Sequence, residues 1–73
     1  MSKIDDSLRV GDMVSYCRVK EDLKFYYIVY NITPSQYSAS DKSVNMKLVG
    51  DTEWSRQALL HAEMMNNKVW NKE

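Results

Sequence analysis

The side chains in this sequence that could do chemistry are few and far apart. One histidine, His61, and one cysteine, Cys17, are the sole pair from which a nucleophile and its general base could be drawn, and such a pair needs the two within hydrogen-bond reach. Nothing flanking either residue supports that geometry. The simpler expectation is that Cys17 is a small sheet residue and that His61 sits on a helix flank beside Gln57. A four-ligand Cys/His zinc site cannot be assembled from one chain. The carboxylate pairs Asp5-Asp6 and Glu21-Asp22 are adjacent in polar segments, where solvated charge is the ordinary state. Gly11 and Gly50 are the only glycines, so no phosphate-cradling loop exists. These residues predict a protein that is not an enzyme and that uses no metal and no cofactor.

The elements that must position these residues fit in 73 positions, close to the size at which a single core just suffices. We read residues 1–73 as one domain, with 1–7 a loose arm anchored only by Ile4 and Met1. Ten basic residues balance ten acidic ones, so no long-range field draws the protein to phosphate or to an anionic membrane. A single cysteine cannot form an internal disulfide, and no apolar run approaches the length of a signal core or a membrane span. A cytoplasmic protein with no membrane association is the expectation.

The organising stretch is Lys24 to Ile32, where β-branched and aromatic residues follow one another almost without interruption. It reads as a central strand, with Tyr26, Ile28, Tyr30 and Ile32 on one face and Phe25, Tyr27 and Val29 on the other. Before it, Gly11-Asp12 supplies a turn and Val14 and Tyr16 share a face opposite Met13, Ser15, Cys17 and Val19. Lys20-Glu21-Asp22 returns the chain as an antiparallel hairpin. Residues 33–43 read as a long loop carrying Tyr37, and Val44, Met46 and Leu48 alternate inward against Asn45 and Lys47.

The remainder reads as helical. Gly50-Asp51-Thr52 offers a turn and cap, and from about Thr52 to Asn66 no glycine or proline intervenes. At 100° per residue, Trp54, Ala58, Ala62, Met65 and Val69 fall within about 80°, which predicts a core stripe. Leu60 and Met64 fall almost opposite it. Val69-Trp70 would close the sheet as a short strand.

Arg9-Val10-Gly11-Asp12-Met13-Val14, followed by a charged turn and an aromatic strand, resembles the opening of SH3-like and KOW-like small barrels. The resemblance covers about the first half of the chain and implies binding rather than catalysis. Together with the helix it implies a mainly β (α+β) fold, a partly open SH3-like antiparallel barrel with one C-terminal α-helix. The size and the Asn, Lys and Tyr content resemble small accessory proteins of bacteriophages.

Three functions are compatible with this reading. The first is binding to another protein, as in capture or inhibition of a host protein, through Leu60, Met64, Tyr37 and whichever of Tyr26, Tyr27 and Tyr30 faces solvent. The second is nucleic-acid binding through Arg18, Lys20, Lys24 and Lys47 beside the tyrosines, although Glu21 and Asp22 interrupt that patch. The third is self-association into a homodimer or larger assembly through the Leu60/Met64 face.

Overall fold

The computed structural model describes residues 2–18, 20, 23–50 and 53–73. It is a mainly β fold built on one antiparallel sheet of strands β1 (Ser2–Lys3), β2 (Met13–Arg18), β3 (Leu23–Pro34), β4 (Lys42–Leu48), β5 (Ser55–Leu59) and β6 (Trp70–Lys72). Their order across the sheet is β1-β6-β2-β3-β4-β5, so β1 and β5 are its edges and the sheet is open. Among the described residues no helix is long and apolar enough to cross a membrane.

The β2–β3 hairpin forms as its alternation predicts, with Val14 opposite Tyr27 and Ser15 opposite Tyr26. Gly11, at φ 97°, makes the turn into β2, a conformation other residues resist. The turn is held by the Gly11 amide donating to Val29 O at 2.8 Å and by the Asp12 carboxylate, which accepts the Arg9 amide at 2.9 Å. Val19, Glu21 and Asp22, expected at the strand end and hairpin turn, lie outside the described residues. So do Asp51 and Thr52, expected as a turn and helix cap.

Along β3 the pairing shifts between Val29, opposite Met46, and Asn31, opposite Asn45. Tyr30 is the extra residue of a bulge, which reverses the alternation beyond it. Ile32 therefore turns to the core beside Val44, and the expected grouping of Ile32 with Tyr26 and Tyr30 is corrected.

The C-terminal α-helix is replaced by β5 and one π-helical turn, Leu60–Met64, in which the Met65 amide donates to Leu60 O at 2.8 Å. Residues 55–59 instead satisfy their inward backbone groups on β4, with Val44 opposite Ala58 and Met46 opposite Arg56. Sheet pairing and burial outweigh helix propensity, which is worth only tenths of a kcal/mol per residue. Leu60 and Met64 are consequently core residues, 1% and 0% exposed, rather than an exposed pair. Trp54 and Ala62, expected in the core, are exposed.

The loose arm is likewise corrected. Ser2 and Lys3 pair with Lys72 and Asn71 of β6, and Ile4 and Leu8 are buried in one cluster with Val14, Tyr27, Val29, Val44, Met46, Ala58, Leu60, Met64 and Trp70. Burial of each large side chain here contributes roughly 1.5–3 kcal/mol. The sheet curls around this core. In a flat sheet β5 would lie three strand spacings of about 4.8 Å from β2 and four from β6, yet Arg56 of β5 reaches the rings of Tyr16 and Trp70.

Candidate binding cleft

Alternation places Tyr16 and Arg18 of β2, Phe25 and Tyr27 of β3, Leu48 of β4, and Trp54 and Arg56 at β5 on the concave face. At the opposite end of that face the buried cluster is completed by Ile4, Leu8, Leu60 and Met64. At this end these seven, among the described residues, line an open cleft of about 270 Å³.

Trp70 lies beneath the cleft, 1% exposed, packed edge-on to Tyr16 with ring centroids 4.8 Å apart and tilted against Tyr27 at 6.1 Å. The Arg56 guanidinium rests on both, its Cζ 4.4 Å from the Tyr16 centroid and 5.1 Å from that of Trp70. Ring faces carry negative potential, so they hold a guanidinium well. Among the described residues none that lines the cleft is acidic, and no carboxylate pairs with Arg56. Trp54 stands at the rim, 53% exposed. The arrangement is a preformed concave surface of aromatic rings with a fixed cation, suited to recognition.

Of the site residues singled out from sequence, Arg18 and Tyr27 line this cleft. Tyr27 shares its floor but is buried in the core. Tyr26 and Tyr30 face solvent on the convex side, where Lys24 Nζ lies 5.3 Å from the Tyr26 ring and Lys47 Nζ 5.2 Å from the Tyr30 ring. Lys24 also meets Glu73 at 3.5 Å. Lys20, between β2 and β3, is exposed. The four expected cations thus divide between two faces and do not converge. Tyr37 is 90% exposed on the 35–41 loop, apart from either group. Trp54, Arg56, Tyr16 and Phe25 went unrecognised. The signal for Trp54 and Arg56 is the period-two pattern Trp54-Ser-Arg56-Gln-Ala58, which the helical periodicity of the same stretch conceals, whereas Tyr16 and Phe25 lie on strands whose alternation is plain.

No family model, curated protein or solved structure matches the chain.

Cys17 and His61 do not form a pair, since both ring nitrogens of His61 bond carboxylates. Nδ1 meets Asp41 Oδ1 at 3.0 Å and Nε2 meets Asp6 Oδ1 at 2.5 Å. Asp41, 6% exposed, also accepts the amides of Lys42, His61 and Ala62 at 2.7, 2.8 and 3.0 Å. It caps the π-helical turn from across the chain. The His61 amide first, then those of Lys42 and Ala62 and the His61 ring, outweigh burial and hold the Asp41 carboxyl down at about 2. The bond to Asp6, then that to Asp41, raises the His61 pKa.

This cluster is a structural latch with a defined pH response. The raised His61 pKa stabilises the fold below its ordinary value of 6.5 and that contribution is lost as pH rises through the folded value. The lowered Asp41 pKa stabilises above its ordinary 3.8 and is lost as pH falls toward 2. Melting temperature is therefore expected to peak between about pH 4 and 6.5. Asp41→Ala should lower it by roughly 10 °C at the peak and flatten the acid limb. His61→Gln should flatten the alkaline limb and weaken the acid limb only slightly, since the three backbone amides on Asp41 remain. Circular dichroism melts across pH check both, and a wild-type profile flat from pH 4 to 9 contradicts the latch.

Proposed function

We propose that this protein is a non-catalytic module that binds another protein through the concave cleft. One observation carries the reading: a half-buried arginine, Arg56, seated on Tyr16 and Trp70 without a carboxylate of its own chain among the described residues. Arginine and aromatic side chains dominate the energetics of protein interfaces. An arginine already ordered on its floor loses little entropy on binding. The curled antiparallel sheet opening on Val10-Gly11-Asp12 supports treating the fold as a variant of the SH3-like barrel. Capture or inhibition of a host protein by a small phage accessory factor is the biological setting that size and composition favour.

Single-stranded nucleic acid is the second reading, since a base could stack against Trp54 beside Arg56. It is weakened by Lys24 and Lys47, which lie on the other face over their own tyrosines. Self-association through Leu60 and Met64 loses its support because both are in the core.

Affinity capture from lysate, with and without nuclease, tests the reading when wild type is compared with Trp54→Ala/Arg56→Glu. A protein retained after nuclease and lost with the double variant is expected, the affinity falling about a hundredfold for the loss of the seated cation and the rim aromatic together. Capture that vanishes with nuclease, or that ignores the double variant, overturns it.

A further inference from the structure

We infer that the cleft takes its partner as an added strand: an extended segment of another protein pairs with the free edge of β5, setting an acidic side chain against Arg56 and an apolar one, two residues away, beside Trp54. This rests on the protein-binding reading and specifies its mode.

The phase of the β4–β5 ladder decides which backbone groups are open. The Leu48 amide donates to Trp54 O at 3.1 Å, and the register continues through Met46 with Arg56 and Val44 with Ala58. Hydrogen-bonded and non-bonded pairs alternate in an antiparallel ladder, so Trp54, Arg56 and Ala58 turn their amides and carbonyls to β4. Those of Ser55 and Gln57 point away from the sheet. β5 is an end strand, and no hydrogen bond from elsewhere in the described chain reaches the backbone of Ser55 or Gln57. The same strand sends Trp54 and Arg56 into the cleft. Open pairing groups and a side-chain pocket on one strand are the two requirements of strand addition, the ladder giving affinity and the pocket giving specificity.

Charge selects the occupant. The guanidinium is a cation with a planar fork of donors, and a carboxylate offers it short charge-assisted hydrogen bonds. Among the described residues the cleft supplies no acid of its own. A second copy of this chain fits poorly, because β5, Ser-Arg-Gln-Ala-Leu, would bring a second arginine and no carboxylate. Juxtaposed like charges of that kind are how natural edges resist self-pairing.

Selection from a displayed library of random peptides of about twelve residues, a length that spans one strand with its flanks, tests the inference. Enriched peptides should carry Asp or Glu two positions from an aromatic or β-branched residue. A terminally blocked synthetic copy should shift the amide resonances of Ser55 and Gln57. Its affinity should fall about tenfold or more on N-methylation of the backbone beside the acid, and equally with Arg56→Met, which keeps the packing over the rings. Replacing the peptide's acid with lysine should abolish binding to wild type and restore it to Arg56→Glu. Peptides that bind the cleft but ignore N-methylation or the acid overturn strand addition while leaving protein binding intact. No enriched peptide, with a fluorescent oligothymidine bound instead, overturns both.

Discussion

Leu60→Glu should leave the chain unfolded at 25 °C. Leu60 is 1% exposed and packed in one cluster with Val44, Met46, Ala58 and Met64. Truncation to alanine at such a site costs about 2–5 kcal/mol through lost burial and the cavity left behind. A carboxylate adds the cost of an unpaired buried charge, several kcal/mol more or a strongly raised pKa in its place. A domain of 73 residues commands roughly 4–11 kcal/mol in total, which the substitution exhausts. Far-ultraviolet circular dichroism should therefore show no cooperative melt. Leu60→Met, which keeps volume, should stay folded at a cost under about 1.5 kcal/mol. A folded Leu60→Glu protein with reduced mass by light scattering would instead return this residue to an intermolecular interface.

The contrast between Leu60 and the β2–β3 hairpin shows what can be read from such a sequence. β2, β3 and β4 were legible because strand alternation there is supported by β-branched and aromatic residues and punctuated by Gly11 and the charged turn. Segment 54–66 supports two periods at once. Trp54, Arg56, Ala58 and Leu60 alternate as a strand, while Trp54 and Ala58 with Ala62, Met65 and Val69 fit a helical arc, and only β4's demand for a partner decides between them. The Tyr30 bulge is invisible for a related reason, since it is set by how β3 and β4 pair. Asp41 reads as one polar residue in a polar loop; its burial follows from the unsatisfied amides of a turn twenty positions later. The cleft is illegible in the sequence for the same reason, because two of its lining residues, Trp54 and Arg56, belong to the segment whose period is ambiguous. A strand there points them into the concave face, whereas a helix buries one and exposes the other.

Trp70 links the core to the cleft, and its two replacements should separate those roles. Its ring is buried against Tyr16 and Tyr27 and carries Arg56 on its outer side, while its strand ties β1 to β2. Trp70→Ala removes the largest buried side chain of the fold and should cost about 3–5 kcal/mol, most of the stability of a domain this size. Trp70→Phe is different. The indole Nε1 is buried and has no hydrogen-bond partner among the described residues, so phenylalanine relieves one unpaired donor while giving up ring area. It should cost only about 1–2 kcal/mol. Urea titrations of the two variants check the ordering, and equal losses would contradict it. Because Trp54 is then the sole tryptophan, Trp70→Phe also isolates the rim of the cleft. Its emission should be that of a solvent-exposed indole and should shift to the blue when a partner covers the cleft. An unchanged spectrum with partner bound would place the contact elsewhere on the molecule, for which the convex face of Tyr26 and Tyr30 is the next surface to test.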